Sequence, residues 1–258
     1  MVKLKELHMN ANQHIQRVLS SLPLESLEIL EVLRVDLDTL FQYLNQLPSL
    51  VSLSIEDQNQ FTFGRRGQFS LSTLEHVRQL TISPLLLDHL TGIPPELSIL
   101  AIRTSIDDVH PMYNISVPLG SSWSHPDTYM SISDMTIPVG VMLAVSRSLQ
   151  NARTALPNLV YLTIIMDNPT NNPTELEAFQ ELVLNFGSLW KARALKELRF
   201  IDVKLEDVST EDAVKKAVQE LASSLQRHER FPAMQLFSMR VHRVNHWVDY
   251  YDPPIQSE

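Results

Sequence analysis

Two stretches constrain this chain more than any others: Leu47–Ile55, which reads L-P-S-L-V-S-L-S-I, and Leu156–Ile164, which reads L-P-N-L-V-Y-L-T-I. They lie 109 residues apart and agree at Leu, Pro, Leu, Val, Leu and Ile. That agreement marks an array of repeats, in which each unit is one supersecondary element that buries its apolar face only against its neighbours. The shared core is L-x-x-L-x-(apolar). It recurs as Leu4/Leu7/Met9, Leu30/Leu33/Val35, Leu50/Leu53/Ile55, Val77/Leu80/Ile82 and Leu97/Leu100/Ile102, then as Leu159/Leu162/Ile164, Leu195/Leu198/Phe200 and Met234/Phe237/Met239. Within each unit the last two apolar positions alternate with variable ones, the period-2 signature of a short strand with one buried face.

Segments with helical period lie between these strands. Asn12 is a candidate N-cap before Ile15, Val18, Leu19 and Leu22, and Asp36 or Asp38 before Leu40, Phe41, Leu44 and Leu47. Ser83-Pro84 reads as N-cap and first helical position before Leu86, Leu87 and Leu90, and Pro138 as the opening of a helix carrying Met142, Val145 and Leu149. Leu176, Phe179, Val183 and Phe186 mark another helix, and Ser209 or Thr210 opens the last, with Val214, Val218, Leu221 and Leu225 in line. Proline then stops the helices before the next strand, at Pro48, Pro95, Pro157 and Pro232 among others. Steps between the middle anchors from Leu7 onward are 26, 20, 27, 20, 62, 36 and 39 residues. The long step holds Arg103 to Ile137, read as an insertion with Tyr113, Trp123 and Tyr129 as its aromatics. A smaller insertion, Asp57 to Phe69, carries a turn at Gly64–Gly67, and Trp247 to Glu258 reads as a frayed tail. The expectation is one domain over 1–246, interrupted at 103–137, and a tail over 247–258.

Irregular repeat lengths of about 20–29 residues in the early steps, helices between strands and no fixed asparagine give a resemblance. The chain resembles the divergent leucine-rich-repeat domains of F-box proteins, particularly fungal ones, from about Leu4 to Val241. The fold class this implies is α/β: a solenoid of about eight irregular repeats, with a parallel sheet on its concave face and helices on its convex face. The function it implies is protein–protein interaction, as the substrate-recognition domain of a ubiquitin-ligase-type protein. No F-box segment is found in this chain. The resemblance therefore implies that contact with a ubiquitin-ligase complex runs through an N-terminal segment missing from this sequence. A regulatory leucine-rich-repeat scaffold without a ligase role is the alternative.

In such an array the residues alternating with the leucines face outward on the sheet. The central row then reads His8, Arg34, Ser54, Thr81, Ala101, Thr163, Arg199 and Ser238. The flanking rows add Tyr161 and Leu236 on one side, and Arg103, Ile165, Ile201 and Arg240 on the other. Aromatic and apolar residues with arginines around them are what a protein-binding hot spot needs, so Arg103, Tyr161, Ile165, Arg199, Ile201, Leu236 and Arg240 are the candidate partner-binding residues. Two readings stand: a protein ligand binds there, or the 103–137 insertion folds back over the patch.

Chemistry finds little support. The chain has six glycines and no G-x-S-x-G elbow, phosphate-cradling loop or dinucleotide fingerprint. His242 and His246 are four apart, but Met239 and Val241 alternate like a strand and no glutamate follows the first histidine. The least favoured alternative is an enzyme using His110, His125 and Asp107 or Asp108 in the insertion. The expectation is no catalysis, no cofactor and no metal. With 21 basic and 30 acidic residues, the net charge of −9 disfavours nucleic acid and anionic lipid. Cysteine is absent, which suits a reducing compartment, and no apolar run approaches the roughly 20 residues that span a bilayer. The expected location is cytoplasmic or nuclear.

Overall fold

A computed structural model describes residues 4–10, 15–33, 37–56, 69–87, 89–102, 129–142, 156–166, 176–189, 192–205, 210–226, 231–243 and 246–251. The chain forms two compact units. One comprises Met1–Val109 and Val117–Ser124, the other His110–Ser116 and His125–Glu258. Both are α/β, with mostly parallel strands and helices between them.

The first unit carries β1 (Glu6–Asn10), β2 (Ile29–Leu33), β3 (Ser52–Glu56), β4 (Phe69–Ser70), β5 (Gln79–Ile82), β6 (Leu90–Thr91) and β7 (Ile99–Ile102). Strands β1, β2, β3, β5 and β7 pair in parallel in that order, so that Leu7, Leu30, Leu53, Leu80 and Leu100 are register partners. The four leucines from Leu30 onward are essentially inaccessible. Each contributes about 1.5–3 kcal/mol by leaving water. Leu7, on the edge strand, is only half-buried. Two short helices, α1 (Ile15–Ser21) and α2 (Leu37–Leu44), pack on each other, and α2 buries Leu37, Leu40 and Leu44. Beside them Phe41 stacks on Phe69 with ring centroids 4.6 Å apart.

The second unit carries β8 (Asp134–Pro138), β9 (Tyr161–Ile165), α3 (Leu176–Leu189), β10 (Glu197–Lys204), α4 (Glu211–Gln226), β11 (Leu236–Arg243) and β12 (His246–Tyr251). Strands β8 to β11 are parallel, and Met135, Leu162, Leu198 and Phe237 are register partners. β12 turns back antiparallel on β11. The apolar stripe of α4 (Val214, Val218, Leu221 and Leu225) is buried, and the helix packs on α3, β11 and β12. Thr210 caps it, its Oγ1 accepting from the Ala213 N–H at 3.3 Å.

A turn precedes the strands and explains the rest of the opening motif. The first anchor donates its N–H to the residue three before it, as in Leu27 to Leu24, Leu50 to Leu47, Val77 to Leu74, Ile132 to Tyr129 and Met234 to Phe231, at 3.0–3.3 Å. One carbonyl then accepts two successive N–H groups from the next strand's approach: Lys5, Glu28, Val51 and Arg78 in the first unit, and Ser133, Val160 and Lys196 in the second. The small polar residue just before the first anchor completes the tie. Ser49 Oγ donates to the Glu25 carbonyl at 2.8 Å, and Asn158 Nδ2 to the Met130 carbonyl at 2.7 Å. The Ser/Asn variation between L-P-S-L and L-P-N-L is therefore a conserved hydrogen-bonding task with two side chains able to perform it, each bond adding about 0.5–1.5 kcal/mol.

The structure departs from the sequence expectation in five places. Leu7 pairs with Leu30, not Leu33, so the second motif is Leu27/Leu30/Val32, with all three residues buried. The outward residue there is Glu31 and not Arg34, which lies outside the described residues. Ile132/Met135/Ile137 is a further copy of the motif inside the stretch assigned to the 103–137 insertion, and it forms β8, with Tyr129 buried in its turn. Residues 103–128 are outside the described residues. Pro138 ends β8, and helix begins at 139. After Ser83 there is only a 3-10 turn, Pro84–Leu86, because a 20-residue step leaves no room for a helix before β7. Gly92 closes that step at φ +67°, where an added Cβ would stand 3.3 Å from the Ser72 Cβ. Finally, residues 247–251 of the expected tail belong to β12.

Candidate binding face

Alternation along the strands separates a helix-covered side from an outward side. In the second unit the outward rows are Asp134–Tyr161–Glu197–Leu236, Thr136–Thr163–Arg199–Ser238–Tyr251, and Pro138–Ile165–Ile201, with Arg240–Asp249 continuing the last beyond an irregularity. That irregularity is a bulge in β10. Phe200 pairs with Met239 and Val203 with Val241, so Ile201 and Asp202 together face Arg240. Asp202 absorbs the extra residue at φ 61°, a conformation that Asp tolerates better than most side chains.

Arg240 and Asp249 face each other across β11 and β12 in a bidentate ion pair. Arg240 Nε donates to Oδ1 at 2.9 Å and Nη2 to Oδ2 at 3.3 Å. Arg199 reaches the same Oδ1 with Nη2 at 3.4 Å. Around this cluster Tyr161 is 47% and Tyr251 56% exposed. Of the expected partner-binding residues, Tyr161, Arg199, Ile201, Leu236 and Arg240 are brought together on this face and retain at least partial exposure. Ile165 does not present itself to solvent, being 8% exposed, and Arg103 lies outside the described residues. Asp249, Tyr251 and Asp202 escaped the sequence reading. The signal for the first two was present: Val248 and Tyr250 alternate with Asp249 and Tyr251 in a run rich in strand-forming residues.

The hydrogen bonds from Arg240, with Arg199's charge added, hold the Asp249 carboxyl below the usual carboxylate range. Burial pushes the carboxyl of Asp134 up, and also that of Asp202, where Arg240 partly offsets it. The signs are opposite. Asp249's contribution is complete above its unfolded value near 3.8 and is lost as pH falls through the depressed folded value. Asp134's ionised form destabilises, so its penalty is absent below about 3.8 and complete once pH exceeds the raised folded value. Melting curves from pH 7 to pH 2 check this. Asp249→Asn should lower the melting temperature at pH 7 and converge on the parent in acid. Asp134→Asn should raise it at pH 7 and match the parent at pH 3.

Among the described residues no group of His, Asp or Glu side chains is placed to hold a metal ion. His242 and His246 lie on the antiparallel strands β11 and β12, with Arg243 paired to His246, and share no helix face. Asp107, Asp108, His110 and His125 lie outside the described residues. In the first unit the outward face is more polar, with His8 Nδ1 at 2.6 Å from Glu31 Oε2. Among the described residues no helix is long and apolar enough to cross a membrane.

No protein-family model matches the chain, and no curated protein matches it by sequence. Among solved structures it is similar to the leucine-rich repeat-containing protein LegL7 from Legionella pneumophila. The match covers 93% of this chain and 83% of that one, at 11% identity and a TM-score of 0.42.

Proposed function

We propose that this chain is a protein-interaction module without catalytic activity, which holds a protein ligand on the outward sheet face of its second unit. The observation that supports this reading is the pair of half-exposed tyrosines, Tyr161 and Tyr251, flanking the Arg199–Asp249–Arg240 cluster. Tyrosine loses little conformational freedom on binding, and tyrosine and arginine dominate interface energetics. A photo-crosslinking amino acid at position 161 tests it, compared with one at Lys216 on the helix side. The expected result is one discrete crosslinked protein from position 161 only, lost when Arg199 and Arg240 are replaced by Gln. Equal yields from both positions would sink the reading.

The finer form of the proposal, a substrate receptor of a ubiquitin ligase, rests on the repeat pattern alone. Recovery of cullin-ligase subunits with the full-length gene product supports it, and their absence counts against it. A regulatory scaffold is then the reading that remains.

A further inference from the structure

Among the described residues β1 pairs with β2 alone, so its other edge is open. The Ile29 N–H donates to the Lys5 carbonyl at 3.0 Å. In a parallel pair the bonding residues alternate, so Lys5, Leu7 and Met9 address β2. The N–H and C=O groups of Glu6, His8 and Asn10 therefore point out of the sheet edge. Folded chains blunt such edges with proline, a bulge or charge. β1 contains no proline, and its register with β2 runs unbroken from Glu6 to Asn10. Its basic side chains are drawn toward β2 and away from the edge: Lys5 Nζ lies 2.8 Å from Glu28 Oε1, and His8 Nδ1 lies 2.6 Å from Glu31 Oε2. The apolar layer beneath is open as well. Leu27, Leu30 and Val32 are inaccessible, but Leu4, Leu7 and Met9, at the same three motif positions, are only part-buried. What covers this edge must be an extended strand with apolar residues at alternate positions.

β1 itself has that pattern, and has it symmetrically. Glu6-Leu7-His8-Met9-Asn10 alternates polar and apolar residues, and the alternation reads the same in both directions about His8. We infer that a second copy of this chain covers the edge, its β1 laid antiparallel on the first about a two-fold axis at His8. The axis stands normal to the sheet, so the inward sides of both copies stay together. Glu6 of each copy then faces Asn10 of the other, His8 faces His8, and Leu7 faces Met9. The edge backbone groups pair completely, because Glu6, His8 and Asn10 meet only one another. Leu7 and Met9 of each copy continue the buried rows of the other, which closes the open apolar layer. The outward side chains tolerate the arrangement. Glu6 meets an amide and not a second carboxylate, and each His8 keeps its own Glu31. The inference is independent of the function proposed above, since Tyr161, Arg199 and Arg240 take no part in it.

Sedimentation velocity of the full chain tests this, and should show a concentration-dependent species of twice the 29.5 kDa chain mass. The chain has no cysteine, so a single introduced one reports the register. Opposed copies of residue 8 have Cα atoms about 5.5 Å apart, within disulfide reach, whereas copies of residue 6 are more than about 13 Å apart. Mild oxidation should therefore link His8→Cys into a covalent dimer and leave Glu6→Cys unlinked. His8→Pro removes an N–H that only the dimer uses, at an edge position that admits proline, and should raise the dissociation constant about tenfold or more. His8→Ala keeps the N–H and should leave the constant within about threefold of the parent. Melting curves confirm that each variant folds, and if His8→Pro does not, the cysteine comparison decides. A chain that stays monomeric at every concentration overturns the inference and leaves the edge to a strand of another protein. A dimer that a folded His8→Pro leaves intact, or one in which Glu6→Cys links as readily as His8→Cys, overturns it too.

Discussion

Phe200→Ala should cost the second unit about 3–5 kcal/mol, the range for emptying a fully buried aromatic site. Phe200 is inaccessible, and its ring is edge-on to Phe179 at 5.3 Å and tilted against Phe237 at 5.9 Å. It therefore joins α3, β10 and β11, and no single neighbour can relax into the space its removal leaves. Against a typical total of about 5–15 kcal/mol, the loss is large enough to shift the whole transition of this unit. Urea unfolding followed by far-ultraviolet circular dichroism measures it. The midpoint should fall with the slope unchanged, since the surface exposed on unfolding is nearly the same. Tyr161→Ala is the control. Tyr161 faces outward from neighbouring β9 and is 47% exposed, so its removal should stay within about 0.5 kcal/mol. Similar losses from both would mean that the inward and outward faces of this sheet are wrongly assigned.

The strand positions were legible because buried leucines at a fixed spacing are a strong constraint. Leu53 and Ile55, and Leu162 and Ile164, are the inward residues of β3 and β9, with Leu50 and Leu159 buried in the turns before them, and their outward neighbours follow from the two-residue alternation. What was not legible has physical reasons. Ile132/Met135/Ile137 contains no leucine, yet isoleucine and methionine fill the same buried positions equally well. The helix expected after Ser83 had local capping signals in its favour. A short step between two paired strands overrode them, as tertiary constraint often does with weak local preference. The pairing of Asp249 was out of reach for another reason. Asp249 meets Arg199 across 50 residues of sequence, and nothing local announces that β12 folds back to deliver it. The candidate face was thus readable for the side chains that alternate with the leucines, whereas for Asp249 the strand pattern was readable and the arginines it meets were not.

The second strand offers the sharpest test of register, because its sequence permits two frames. Leucines at 27, 30 and 33 are spaced by three, so Leu27/Leu30/Val32 and Leu30/Leu33/Val35 both satisfy the motif. The structure selects the first, in which Leu30 faces Leu53 and Val32 faces Ile55. Two features favour it. The Leu27 N–H closes the turn onto the Leu24 carbonyl, and Ser26 Oγ donates to the Leu4 carbonyl at 3.0 Å, the tie that Ser49 makes one strand later. Leu30 is then inaccessible, whereas Leu33 sits half-buried in the outward row between Asn10 and Glu56. Leu30→Ala should cost about 2–5 kcal/mol and Leu33→Ala less than about 1 kcal/mol. Both substitutions lie in one strand and share the same change of side chain, so strand propensity cancels and only burial separates them. In the other frame Leu33 becomes the middle anchor, and Leu33→Ala joins the costly class. Comparable midpoints for the two variants, or a lower one for Leu33→Ala, would reject the frame, and with it the placing of Glu31 beside His8 on the outward face.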